Sequence, residues 1–168
     1  EGQQIVEFSR SASARLRGMV DSTLRWSRLG RADLPVEPVA LEHCIGQAAV
    51  AVDASLREAL VFHSPLPSVL GNATLLQRVF VNLLTNSMRY RSERELRIEA
   101  RPAADGELLG VELRDNGIGF AQEKAERLFQ PFFRLHSYDE IRGSGMGLPI
   151  VQRIVQQHGG RVFAAGRT

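Results

Sequence analysis

The 168-residue chain predicts an α/β (α+β) fold: a two-layer sandwich of a mixed sheet and about three helices, preceded by one long helix. Three observations lead there. Apolar residues recur at steps of three and four in several separated stretches, which is the helical period. Residues 96–101 and 108–113 alternate apolar and polar around Asp105-Gly106, the pattern of a β-hairpin. The order of elements after the first helix, α-β-α-ββ-α-β, suggests helices layered on a mixed sheet.

Taken in order, residues 3–29 read as one amphipathic helix. Ile5, Phe8, Ala12, Leu16, Met19, Thr23 and Trp26 form its stripe, and Glu7, Arg10, Arg17, Asp21 and Arg25 its wet face. Gly30 stops it, and residues 31–38, with Pro35 and Pro38, read as a linker. One such helix cannot bury its own stripe, so it must pack on the next domain, a further helix or another copy. A domain of residues 39–168 follows, opening with a helix over 41–58 and a short apolar strand over 59–62. Pro65 and Pro67 force an extended turn. Asn72 or Thr74 can cap a helix running to about Tyr90. After the hairpin come a short helix near 123–128, a long loop to Gly147 and a helix over 148–158 ended by His158-Gly159-Gly160. Residues 161–164 begin a strand.

Composition narrows the function classes. A chain of this size buries roughly 70% of its unfolded surface and needs neither disulfide nor structural metal to fold. The lone Cys44 has no internal partner, lies in an apolar helical pattern as a buried inert thiol, and fits a reducing, cytoplasmic compartment. No run of 18 apolar residues is present, nor a signal-peptide pattern, so no direct membrane contact is expected of this segment. The chain opens on Glu1, which reads as a piece excised from something longer. The formal net charge is only +2 and the arginines are scattered, without the basic and aromatic stripe a nucleic-acid groove requires.

Three short motifs carry chemistry. The first is Asn82-Leu83-Leu84-Thr85-Asn86-Ser87-Met88-Arg89-Tyr90. Residues four apart on a helix are offset by only about 40°, so Asn82, Asn86 and Tyr90 share a face, with Arg89 beside it. An asparagine carbonyl is a hard neutral oxygen able to join a Mg²⁺ shell made otherwise of phosphate and water. Arg89 offers fixed donors for phosphate. The second is Asp115-Asn116-Gly117-Ile118-Gly119, directly after a strand. A carboxylate there can accept from an adenine amino group, and Gly117 and Gly119 allow close backbone approach. The third is Gly143-Ser144-Gly145-Met146-Gly147, running into Leu148, Pro149 and an apolar helix, where bared amides at a helix N-terminus attract phosphate. Each alone also suits a bland reading: a polar helix surface, a strand-to-helix turn, a linker. The intervening loop holds Phe129, Pro131, Phe132, Phe133, Arg134, His136 and Tyr138. Aromatics at its root can anchor it while its tip moves as a lid, with Arg134, His136 and Arg142 as candidate phosphate contacts.

Order and spacing together make the chain resemble the histidine-kinase branch of the gyrase/heat-shock-chaperone/histidine-kinase/MutL ATP-binding superfamily. Residues 82–90 look like its N box, 115–119 like G1, 143–147 like G2 and 129–133 like the F box. Residues 128–160 look like the kinase modules of phytochrome-type and PAS-linked sensors, and residues 1–30 like the second helix of a dimerisation and histidine-phosphotransfer hairpin. The resemblance implies a Bergerat-type fold, with ATP and Mg²⁺ as cofactors. Asn86 would ligate the metal and Asn82 assist at the phosphates. Arg89 stands where the family has Lys and would touch phosphate. Tyr90 would lie beside the adenine and Asp115 would bind its amino group. Gly117, Gly119, Gly143, Ser144, Gly145, Met146, Gly147 and Leu148 would shape the pocket. It also implies a homodimer through the hairpin, and relay of the phosphoryl group to a response-regulator receiver domain.

Two departures matter. His43, His63, His136 and His158 lack the acidic setting of the family's phosphoacceptor, so the acceptor is expected upstream of Glu1. The family also ends in a further strand, which residues up to Thr168 do not supply. Superfamily hydrolases carry a water-activating glutamate one turn before the metal-binding asparagine. Here Asn82 occupies that place and cannot serve as a carboxylate base. A superfamily ATPase, a serine kinase and a non-catalytic nucleotide-binding interaction module remain the alternatives.

Overall fold

The computed structural model describes residues 35–135 and 143–166, together with the single positions Val6 and Ser13, which are helical. The remainder of the expected 3–29 helix, most of the expected linker, and His136, Tyr138 and Arg142 lie outside the described residues.

The described elements run β1 (Glu37–Ala40), α1 (Leu41–Val52), a single turn α2 (Leu56–Ala59), β2 (Leu60–Phe62), β3 (Ser68–Gly71) and α3 (Ala73–Arg89). They continue with β4 (Ile98–Asp105), β5 (Leu108–Asp115), two 3₁₀ turns (Gln122–Lys124 and Glu126–Phe129) and α4 (Gly147–Gln157). β2, β4 and β5 form one sheet, with β2 parallel and β5 antiparallel to the central β4. The sheet is therefore mixed, as the order of elements implies. β1 and β3 form a separate antiparallel pair.

Strand alternation sorts β4 onto two faces. Ile98 and Ala100 are buried with Ile45, Ala48, Ala49, Leu76, Phe80 and Leu84, so α1 and α3 cover one face of the sheet. On the other face Glu99 pairs in register with Arg114, and Arg101 with Glu112, a charged surface suited to water. A second, smaller core of Val79, Met146, Ile150, Val151 and Ile154 fastens α4 to the adjoining flank of α3. α3 thus packs on both cores. Its cap is Asn72, whose side chain accepts from the Leu75 amide at 3.0 Å, satisfying one of the helix's orphan donors.

Four expectations are corrected. The helix expected over 41–58 breaks after Val52, because Asp53 Oδ1 accepts from both the amide and the hydroxyl of Ser55, at 2.9 and 2.7 Å. A local side-chain bond of this kind outcompetes the helical ladder. The helix expected near 123–128 is two 3₁₀ turns. The strand expected over 161–164 forms no ladder. Its end and the residues beyond bond instead to one side chain: Gln122 Nε2 donates to the Ala164 carbonyl, and Gln122 Oε1 accepts from the Gly166 amide at 2.8 Å. Finally, β1 opens at Glu37 inside the expected 31–38 linker, and β3 is a strand between the Pro65–Pro67 turn and Asn72, where no element is expected.

Candidate functional site

The three motifs meet along the C-terminal half of α3. Asn82, Asn86 and Arg89 lie on that helix, and Tyr90 is its C-cap. Asp115 ends β5. Gly143–Met146 lead into α4, whose first residues are Gly147 and Leu148.

The glycine loop before α4 lies against the asparagine face. A Cβ added to Gly147 would sit 3.3 Å from Asn82 Oδ1 and 3.9 Å from both polar atoms of the Asn86 amide. A Cβ on Gly143 would sit 2.9 Å from a guanidinium nitrogen of Arg89. The loop approaches α3 this closely only because those side chains are absent. Asn82 Nδ2 donates to the Arg78 carbonyl at 2.8 Å, which turns its Oδ1 toward Gly147. Within the loop Gly145 has φ +71°, and its carbonyl accepts from the Phe132 amide at 3.1 Å. The aromatic segment is thereby tied to the glycine loop by a backbone bond. Phe132 itself holds φ +64°, uncommon for a bulky residue. Arg127 caps the neighbouring Phe133 ring, its guanidinium carbon 4.4 Å from the centroid.

The second motif is joined to the same helix end. The Ile118 amide donates to the Tyr90 carbonyl at 2.9 Å, and Gly117 leaves no room for a Cβ between that carbonyl and Asp115. Asp115 is gripped from two sides: Oδ1 accepts from the Gly117 amide at 2.9 Å and Oδ2 from the buried Ser87 hydroxyl at 2.9 Å. Each oxygen keeps a lone pair for an external donor. Gly119, with φ +68°, carries the chain out of the turn. Asn116 supports the turn from behind, accepting from the Arg97 amide at 2.9 Å and donating to the Glu95 carbonyl at 2.7 Å.

Sequence reasoning missed two residues. Ser87 was only an unremarked member of the first motif, and its sole signal was a small polar residue one position after Asn86. His158 was read as a helix stop, yet it receives a bond from Asn72.

The donor set fits Mg²⁺ in a particular way. Among the described residues no group of three or more His, Cys, Asp or Glu could hold a metal. The oxygens beside the glycine loop are neutral amide carbonyls. Such a set holds a hard divalent cation only when phosphate and water supply the remaining ligands.

Residues 71–168 match the family described as histidine kinase-, DNA gyrase B-, and HSP90-like ATPase. The chain is 30% identical over 167 residues to cyanobacterial phytochrome A of Nostoc sp., which covers 97% of this chain and 22% of that protein. It is 33% identical over 151 residues to the methanogenesis regulatory histidine kinase FilI of Methanothrix harundinacea, covering 86% of this chain and 17% of that one. The chain spans about a fifth of the length of the phytochrome relatives it matches. Among solved structures, full-length ShkA in complex with AMPPNP superposes with a TM-score of 0.71 at 26% identity, over 98% of this chain and 36% of that one. The mycobacterial sensor histidine kinase MprB superposes with a TM-score of 0.62 at 26% identity, over 77% and 84% of the two chains.

Proposed function

The chain belongs to the histidine kinase-, DNA gyrase B-, and HSP90-like ATPase family, and from that premise we propose that it is the ATP- and Mg²⁺-binding catalytic part of a two-component sensor histidine kinase. The observation that carries this reading is the meeting of Asn82 and Asn86 with Gly147, with no carboxylate among the three. Asn86 and Asn82 would present neutral oxygens to a Mg²⁺–triphosphate pair. Arg89, beside Gly143, would donate to phosphate oxygens. Gly143, Ser144, Gly145, Met146, Gly147 and Leu148 would offer backbone amides to the same phosphates at the start of α4. Asp115, held by Ser87 and Gly117, would accept from the adenine amino group. Tyr90 and Gly119 would border the base. Bound Mg²⁺ would supply charge neutralisation on the triphosphate.

Asn82 decides between transfer and hydrolysis. A carboxylate there could draw a proton from water, whereas an amide cannot. The γ-phosphorus is then left for a stronger nucleophile, the ring nitrogen of a histidine outside this chain. The new P–N bond forms as the bond to the bridging oxygen breaks, and ADP leaves. The phosphoryl group would pass on to an aspartate of a receiver domain. Residues 1–30 would be the second helix of the hairpin that pairs two copies, residues 31–36 the linker and residues 37–168 the catalytic domain, which opens with β1 at Glu37. Among the described residues no helix is long and apolar enough to cross a membrane, and the lone buried Cys44 suits a reducing cytoplasm.

The test mixes the chain with Mg²⁺, radiolabelled ATP and the upstream hairpin of its parent protein. Acid-labile, base-stable label on that hairpin is the expected result. Release of inorganic phosphate without labelled histidine overturns it in favour of an ATPase. Asn86→Ala is expected to remove Mg²⁺-dependent binding of AMPPNP measured by calorimetry, and near-normal binding contradicts the metal role.

A further inference from the structure

His158 lies at the end of α4 remote from the glycine loop, and its ring is held at both nitrogens. Nε2 lies 3.0 Å from the Asn72 backbone nitrogen, and Nδ1 lies 2.7 Å from the Ile154 carbonyl oxygen. These partners leave one protonation pattern. A backbone N–H can only donate, so Nε2 accepts. A carbonyl can only accept, so Nδ1 carries the proton. The ring also fills the space beside Gly71, where a Cβ would come within 2.7 Å of it.

The partner of Nε2 is the cap of α3. Asn72 is buried, and its polar groups go to three parts of the chain. Its amide donates to His158, its Oδ1 accepts from Leu75, and its Nδ2 donates to the Pro35 carbonyl at 3.0 Å. The C-terminus of α4, the N-terminus of α3 and the segment entering β1 are therefore fastened at one node. The two helices run in opposite senses from it. At 1.5 Å per residue, the eleven residues of α4 span about 17 Å. The stretch of α3 from Asn72 to Asn82 and Asn86 spans about 15 to 21 Å. The node and the Gly147–Asn82 contact thus lie at opposite ends of one helix pair, with Val79, Ile150, Val151 and Ile154 packed between them.

We propose that His158, as the Nδ1–H tautomer, is a positioning residue: it clamps α4 to the cap of α3 and so sets how closely the glycine loop lies on Asn82 and Asn86. The small core holds α4 on α3 by packing, and the hydrophobic effect itself supplies no directional bond. A hydrogen bond from a buried amide is directional and costly to leave unmade. The clamp fixes the register of α4 against α3, and Gly147 inherits it. The nucleotide part of this inference rests on the function proposed above, and the clamp itself does not.

The experiment uses the full chain and two variants. His158→Phe keeps ring volume without an acceptor, and His158→Gln restores an acceptor amide near the place of Nε2. Long-range ¹H–¹⁵N spectra of the wild type are expected to show His158 protonated at Nδ1 alone. Nuclear Overhauser contacts between Gly147 and the Asn82 side-chain amide are expected in the wild type and in His158→Gln, and to be lost in His158→Phe. Calorimetry with Mg²⁺ and AMPPNP is expected to show binding weakened about tenfold by His158→Phe and largely recovered by His158→Gln. An Nε2-protonated ring overturns the proposal, as does a His158→Phe chain that keeps both the Gly147 contact and wild-type affinity. If the wild type binds no nucleotide, the function proposed above fails, while the tautomer and the Gly147 contact still decide the clamp. If His158→Phe does not fold, the wild-type tautomer and His158→Gln decide it.

Discussion

The Asp115 carboxylate is oriented before any ligand arrives, because the Ser87 hydroxyl and the Gly117 amide each hold one of its oxygens at 2.9 Å. Preorganisation of this kind reduces the ordering cost of binding. Ser87→Ala removes one donor and leaves the carboxylate free to turn. The expected result is ATP binding weakened about fivefold, and stability lowered by about 1 kcal/mol, the net worth of one hydrogen bond. Calorimetry and thermal melting read the two effects. Unchanged affinity would mean that Gly117 alone aims the carboxylate. The residue types at this site were legible in the sequence because their chemistry is short-range: asparagines four apart, an aspartate at a strand end, glycines before a helix. What stayed hidden were bonds between residues distant in sequence. Ser87 meets Asp115 across 28 positions and His158 meets Asn72 across 86. No local pattern encodes such pairs.

At the scale of elements, the glycine loop depends on a backbone shape open to few side chains. Gly145 has φ +71°, and an added Cβ would stand 2.9 Å from the Cα and carbonyl carbon of Phe132. Those are main-chain atoms, so they cannot swing aside. Gly145→Ala is expected to destabilise the chain by about 1–3 kcal/mol, and to weaken nucleotide binding by displacing the loop. Gly106→Ala is the control. Gly106 has φ +62° in the β4–β5 turn, with nothing within 4 Å of an added Cβ. It bears the same backbone penalty, about 1 kcal/mol, without touching the site. Equal loss of affinity in both variants would show that the loop acts only through global stability. The readable elements were the long ones. α3 has 17 residues, and β4 and β5 have eight each, enough for a period to emerge. β1 and β3 have four residues each, and Pro38 lies in one of them. Their pairing rests on the tertiary meeting of two short segments. The 161–164 stretch erred the other way: a strand is expected to begin there, yet the Ala164 carbonyl and the Gly166 amide bond to the Gln122 side chain.

For the whole molecule, pH probes the larger core and the outer sheet face separately. On the outer face Arg101 bonds to Glu99 at 2.8 Å, with Arg97 at 3.1 Å and His63 at 3.6 Å. The Arg101 hydrogen bond, helped by those charges, holds the Glu99 carboxyl below its usual range. Its contribution to stability is present above the ordinary glutamate range and is lost as acid protonates the folded state. Screening by water keeps that contribution small, because the Arg97 and Arg101 partners are exposed. Cys44 acts at the alkaline end. It sits in the main cluster with Leu41, Ile45 and Leu56, where burial pushes its thiol from 9.0 up to about 11. A raised folded value means that the unfolded chain loses its proton first. The associated stability is whole below pH 9 and is lost as pH rises toward 11. Because Cys44 belongs to the core shared by α1, α3 and the sheet, its thiolate is freed by global unfolding and not by movement of α4 alone. Cys44→Ala is expected to cost about 1 kcal/mol at neutral pH through the small cavity it leaves. Above pH 9 its melting temperature should fall less steeply than that of the wild type, so that the gap between the two curves closes before pH 11. Melting curves collected through that interval in a reducing buffer make the comparison. Parallel curves would place Cys44 in contact with water and remove the core assignment on which the argument rests.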